Sequence, residues 1–272
     1  PLSVFRPGAN VTNQYFLPLD SQELALKATM QDLEARMGAG VVGRMADEPS
    51  ASIDVVSSGC NALDKALGIG GYPRGRIVEV FGGPASGKTT LAIQAVVSMQ
   101  QTGGTVLYVD VEQALDPFYC RSLGVDTDAL LLSRPTSGEE ALDITESMIR
   151  SGAVDLIVLD SVAALVPKAE MEGRMGDDFV GHQARLMSQA LRKLTPLVHR
   201  SGVLLMFVNQ LRFAKKSLTG RQMQTVGGCA LQYYSSVRLE LAHEGLIYEN
   251  ASVVGSTIKM TIVKNKVSMS FQ

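Results

Sequence analysis

The run Gly82-Gly83-Pro84-Ala85-Ser86-Gly87-Lys88-Thr89, followed by Thr90, constrains this chain more than any other feature. It fits G-x-x-x-x-G-K-[ST] and sits between an apolar β-branched run, Ile77–Phe81, and a helical stretch at about 88–101. A strand, a glycine-rich turn and a helix in that order form a phosphate cradle. The glycines let backbone N–H groups wrap the phosphates, and the helix N-terminus adds partial positive charge. Lys88 is then placed for the β- and γ-phosphates, and the Thr89 hydroxyl for Mg²⁺.

Such a loop needs a sheet behind it. Further apolar runs at Thr105–Asp110, Val154–Asp160 and Val203–Asn209 alternate with helical stretches at about 137–151 and 182–200. Runs that are apolar throughout and separated by helices predict an α/β fold, a parallel sheet covered on both faces. Ala230–Leu241 and Ser256–Val263 read as extra strands joined by hairpin-type connections. With 272 residues, 46% of them hydrophobic, the chain has the size of one large domain with or without an appendage, and disorder is excluded. Its longest pure apolar run, Val203–Val208, falls far short of the roughly 20 residues that cross a bilayer, so a membrane protein is excluded.

Cys60, Cys120 and Cys229 lie far apart with three histidines in the whole chain, which argues against a disulfide framework and a zinc site and makes a reducing compartment the default. Near the start, Leu26, Met30, Leu33 and Met37 form one stripe of a helix over 21–37, capped by Asp20 or Ser21 and ended by Gly38 and Gly40. A stripe set before a polar link either folds back on its own core or docks on another molecule. Residues 1–19 carry one charge, Arg6, and read as a tail, a tag remnant or the end of a transit peptide. The first residue is Pro1 rather than Met, as expected of a processed or cut product.

Three polar residues end core strands. Asp160 closes Leu156-Ile-Val-Leu and is placed as the magnesium-side acid. Glu112 follows Thr105–Asp110, where a carboxylate can orient and deprotonate an attacking water. Gln210 ends Val203–Asn209, where its amide can bond a γ-phosphate oxygen while its backbone leads into a basic segment. The formal net charge of −2 hides a local imbalance. From Phe179 to Leu239, 61 residues hold no Asp or Glu, but carry Arg185, Arg192, Lys193, Arg200, Arg212, Lys215, Lys216, Arg221 and Arg238. That region can meet a polyanion, or it is a solvated basic face. Two loops without periodicity, Glu172–Gly181 and Leu211–Gly228, flank the machinery, and the second ends in Gly227-Gly228. Phe213 is its one aromatic, so backbone-directed, sequence-tolerant nucleic-acid binding fits better than base stacking. Lys264 and Lys266 at the end of the last strand are either solvated charges or cations that act in trans on a neighbour's γ-phosphate.

Taken together, GRIVEVFGGPASGKTT, VEQALDP, RSGAVDLIVLDSVAALVPKAE, MSQALRKL, NQLR, GGCAL and IVKNK resemble the bacterial RecA recombinase family, in order and spacing, from about Ser21 onward. The resemblance implies a RecA-type P-loop ATPase core with a mostly parallel twisted sheet over residues 51–272. It also implies an N-terminal tail and protomer-docking helix over 1–50. The implied activity is an ATP- and Mg²⁺-dependent filament on single-stranded DNA that pairs it with duplex DNA and exchanges strands, with a LexA-type repressor as a further partner. The implied place is the cytoplasm with the nucleoid, or an organelle stroma or matrix.

By resemblance Glu112 is the hydrolytic carboxylate and Gln210 the γ-phosphate sensor. Asp116 and Tyr119 lie beside the adenine, and Lys264 and Lys266 act across the subunit interface. Glu172–Gly181 and Leu211–Thr225 are the DNA loops, with Arg185, Arg192 and Arg212 near phosphate. The chain departs from the family at the loop crown Gly83-Pro84-Ala85, at Gln113 in place of His and at Tyr233 in place of Phe. Its second loop lacks the usual acidic and Asn-Pro character, and it stops at Gln272 where the family continues into a small C-terminal domain. The competing readings are a non-hydrolysing relative that binds nucleotide and DNA structurally, and another RecA-core motor such as a ring helicase.

Overall fold

The computed structural model describes residues 18–44, 53–213 and 223–268, and the chain divides into two compact units, Pro1–Ser52 and Ile53–Gln272. In the first, helix α1 spans Leu19–Met37, two residues earlier than its apolar stripe indicates. Pro18 precedes it and no side chain caps it, so the expected caps at Asp20 and Ser21 are replaced by Asp20 as an acid inside the first turn. Ion pairs Lys27–Glu23 and Arg36–Asp32 lie one turn apart along it, and Leu26 and Met37 of the stripe are exposed.

In the second unit the elements run β1 (Val55–Val56), α2 (Asn61–Leu67), β2 (Tyr72–Pro73), β3 (Ile77–Gly82), α3 (Lys88–Gln101), β4 (Val106–Asp110), α4 (Pro117–Ser122) and β5 (Leu131–Ser133). Next come α5 (Gly138–Ser151), β6 (Leu156–Asp160), α6 (Lys168–Glu172), α7 (His182–Ser201), β7 (Leu204–Phe213), β8 (Met223–Thr225), α8 (Ala230–Tyr234), β9 (Val237–Glu249) and β10 (Ser252–Asn265). The main sheet has the order β10-β9-β3-β7-β6-β4-β5. Every pairing from β9 to β5 is parallel, whereas β10 returns antiparallel to β9.

The period of two along each strand sorts the core into two layers. Val78, Val80, Tyr108, Val158, Met206 and Val208 face α3, while Leu107, Val109, Ile157, Leu159, Leu205 and Phe207 face α5 and α7. Both layers are apolar apart from Glu79 in β3, so the strands read as largely hydrophobic runs, and the strand and helix boundaries expected from those runs hold to within one or two residues for β3, β4, β6, α3, α5 and α7.

Two expectations change. Ala230–Leu241 is not one strand, because Ala230–Tyr234 is a short helix whose Ala230 and Leu231 are buried in the layer with α7, and the strand begins only at Val237. Leu211–Gly228 is not loop throughout, because β7 runs on to Phe213 and β8 pairs with it antiparallel, Leu211 opposite Thr225. That pair forms the stem of the loop.

A buried ionic cluster ties the central strands together. Glu79 on β3, fully buried, accepts from Arg238 Nε on β9 at 2.5 Å and from Asn209 Nδ2 on β7 at 2.9 Å. The Arg238 guanidinium also sits 4.6 Å from the centre of the Phe81 ring, and Asn209 Nδ2 reaches the Val226 carbonyl at 2.9 Å.

Candidate active site

All parallel strands point their carboxyl ends to one edge, which is where a doubly wound sheet places its ligands. Gly82 ends β3 against its neighbour so closely that a Cβ there would stand 2.2 Å from the Leu241 carbonyl oxygen. The loop then turns through Gly83-Pro84-Ala85, with Ala85 in the left-handed region at φ 53°, and Gly87, also left-handed, starts α3. Lys88 Nζ folds into the crown, donating to the Gly83 carbonyl at 2.6 Å, and Ser86 Oγ donates to the same oxygen at 2.9 Å. Burial lowers the Lys88 pKa, opposed by the nearby Asp160 and Glu112 carboxylates.

Thr89 Oγ1 donates to Asp160 Oδ2 at 2.9 Å, and Tyr108 OH donates to the same oxygen at 2.8 Å. Burial pushes the Asp160 carboxyl up; those two hydrogen bonds pull against it, and Glu112 and Asp110 push with it. Glu112 is bonded from two sides through Oε1, by Ser161 Oγ and, at 2.8 Å, by Gln210 Nε2. The ends of β4, β6 and β7 thus bring Glu112, Asp160 and Gln210 together beside Lys88 and Thr89. A hydroxyl and carboxylates at the mouth of a backbone cradle form a hard oxygen donor set that fits Mg²⁺ with phosphate oxygens.

Beyond the cradle a cleft of about 530 Å³ is lined by Gly87, Thr90, Gln94, Tyr119, Ile258 and Met260. Tyr119 OH bonds Thr90 Oγ1 at 2.8 Å, whereas Asp116 caps α4 through the Phe118 amide at 2.8 Å. Lys264 and Lys266 turn back on the C-terminal end of α8. Lys264 Nζ donates to the Gln232 and Tyr233 carbonyls at 2.5 and 3.0 Å, and Lys266 Nζ to Tyr233 at 3.2 Å. Burial first, then the Lys266 charge, brings the Lys264 pKa down to about 8.

Arg185 and Arg192 are exposed on α7, and Arg212 is exposed on the stem strand β7. Gly227 and Gly228, both left-handed, follow β8. Lys215, Lys216 and Arg221 lie outside the described residues. Ser161, Tyr108 and the β10 side chains of the cleft were not legible as site residues. Ser161 had only its place after Asp160 as a signal, and Tyr108 only its hydroxyl in an apolar strand.

The RecA N-terminal domain model matches residues 24–272, a span that holds every residue just described. The chain belongs to the RecA family. Protein RecA of Francisella tularensis subsp. novicida (strain U112) is 51% identical over 253 residues, covering 93% of this chain and 70% of the relative. The RecA proteins of subsp. holarctica (strain LVS) and subsp. tularensis (strain SCHU S4 / Schu 4) are similar to the same extent. Among the described residues no helix is long and apolar enough to cross a membrane.

Proposed function

We infer that the chain is a RecA recombinase: it hydrolyses ATP in dependence on DNA, assembles as a filament on single-stranded DNA, and pairs and exchanges that strand with homologous duplex. The observation that carries the reading is the bonded set Lys88, Thr89, Asp160, Glu112 and Gln210 at one sheet edge of a chain half identical to RecA over nearly its whole length.

ATP would bind with its phosphates in the Gly82–Thr89 cradle and its base in the cleft beside Tyr119, with Asp116, which caps the helix that carries Tyr119, turned toward the adenine. Lys88 exchanges the Gly83 carbonyl for phosphate oxygens. Thr89 and Asp160 would hold Mg²⁺ beside the phosphates, where the cation would supply charge neutralisation to the triphosphate. Glu112 accepts the proton of the attacking water. Gln210 donates to Glu112, and the same amide can turn to the γ-phosphate of bound ATP and so free that carboxylate. Arg185, Arg192 and Arg212, with Lys215, Lys216, Arg221 and the Gly227-Gly228 backbone, meet DNA phosphate. Helix α1 docks on the adjacent protomer, and Lys264 and Lys266 reach the nucleotide across that interface. Residues 1–50 then serve assembly and 51–272 catalysis.

ATP turnover measured with and without single-stranded DNA tests the reading. Strong stimulation is expected; nucleotide binding without turnover would make the chain a structural binding module. DNA affinity should fall linearly in log–log salt plots. The three described arginines alone give a slope of about −2, at about −0.7 per neutralised phosphate, with little dependence on base sequence. A slope near zero would remove the basic region as the site.

Assembly should also weaken with alkaline pH. A lysine with its pKa near 8 loses its ammonium as pH rises through that value, so ATP-dependent filament formation, followed by light scattering, should decline between about pH 7 and pH 9. Lys264→Arg keeps the charge and should move that decline to higher pH.

A further inference from the structure

Tyr108 is the one aromatic residue in β4, and its ring lies in the layer between the sheet and α3. It stands opposite Val158 on β6, so Asp160, two residues further along, shares its face and is its diagonal neighbour. The side chain is 1% exposed, and a Phe would fill the same volume. What the hydroxyl adds is the 2.8 Å hydrogen bond to Asp160 Oδ2.

The second donor to that oxygen, Thr89 Oγ1, belongs to the residue that would itself bind the cation. Among the described residues no hydrogen bond is made to Oδ1 of Asp160. One oxygen is therefore pinned from the interior by a group that stays in place whatever occupies the cradle. A carboxylate fixed in this way keeps its remaining lone pairs at a constant angle. Partners of this kind set metal affinity as strongly as many ligands do.

We propose that Tyr108 is a positioning residue for the nucleotide-bound divalent cation, holding the Asp160 carboxylate ready through its buried hydroxyl. The inference rests on the reading of Thr89 and Asp160 as the magnesium-side pair. The hydroxyl acts on the cation and leaves the phosphate cradle untouched.

The test compares Tyr108→Phe with the unaltered chain in two binding measurements. In EDTA, affinity for a fluorescent ADP should be unchanged, which also reports a folded cradle. With Mn²⁺ titrated into the ADP complex and free ion counted by electron paramagnetic resonance, the dissociation constant should rise about tenfold. In ATP hydrolysis the half-saturating Mg²⁺ should rise by a similar factor, with kcat at saturating Mg²⁺ little changed. In an Asp160→Asn background the same Phe substitution should have no further effect on Mn²⁺ affinity.

An unchanged Mn²⁺ affinity in Tyr108→Phe, or an equal loss of ADP affinity in EDTA, would overturn the proposal and leave the hydroxyl a core hydrogen bond. If Asp160→Asn alone left Mn²⁺ affinity intact, the magnesium-side reading itself would fall, which separates the two failures.

Discussion

Glu112→Gln is expected to slow ATP hydrolysis by about 100- to 10,000-fold while leaving nucleotide affinity within a few-fold of the unaltered chain. The amide is the same size as the carboxylate, and its Oε1 can still accept from Ser161 and Gln210, so the local packing survives. What is lost is the basicity that, in the proposed mechanism, removes a proton from water. Lys88, Thr89 and Asp160 are untouched, so the phosphates remain bound. The variant should therefore trap ATP, and DNA complexes formed with ATP should dissociate more slowly. Single-turnover hydrolysis beside equilibrium nucleotide binding separates the two effects. A rate within tenfold of the unaltered chain would move the base role to another group.

The largest stability effect is expected at the buried ionic cluster. Arg238→Met removes the guanidinium and leaves Glu79, fully buried, with the Asn209 amide as its one hydrogen-bond partner among the described residues. Breaking a buried pair from one side costs about 3–5 kcal/mol, because the remaining charge is neither solvated nor paired. Denaturant unfolding at neutral pH reads this as a lower midpoint with an unchanged slope. Glu79→Leu combined with Arg238→Met should cost much less than either alone, since no charge is then stranded. Asn209 keeps its bond to the Val226 carbonyl in that double variant. If the double variant is as unstable as the single ones, packing around Phe81 rather than charge is the source of the stability.

The framework of the active site was legible because its parts announce themselves locally. Gly82–Thr89 is a motif complete in itself, Asp160 ends an apolar run at the strand tip, and Glu112 and Gln210 stand just after such runs, although β7 continues past Gln210. The sheet order was not legible. That Tyr108 meets Asp160 depends on β4 lying beside β6 in a register that puts Tyr108 opposite Val158, a non-local fact. The β7–β8 stem was missed for a related reason: Met223–Thr225 is three residues long, and its pairing depends on a partner across an intervening segment. Helix α8, with five residues, is too short to show a period. On sequence alone Lys264 and Lys266 are either solvated or act in trans, and their bonds to the Gln232 and Tyr233 carbonyls follow from a helix that the sequence does not announce.

The strand that carries Gln210 does not stop at the sheet edge; it passes unbroken from the core into the stem that β8 completes. At about 3.3 Å per residue, the backbone from Gln210 to Phe213 is a stiff spar of roughly 10 Å. Its rear is gripped on both sides, by β3 and β6. With β8 paired along its outer part, the two strands turn as one lever, and a small rotation at the clamped end becomes a larger sweep at the other. Such a part has no joint to lubricate and no slack to take up. If Gln210 senses the γ-phosphate as proposed, inserting residues between Gln210 and Phe213 should detune the DNA response of ATP hydrolysis more than substituting any of them.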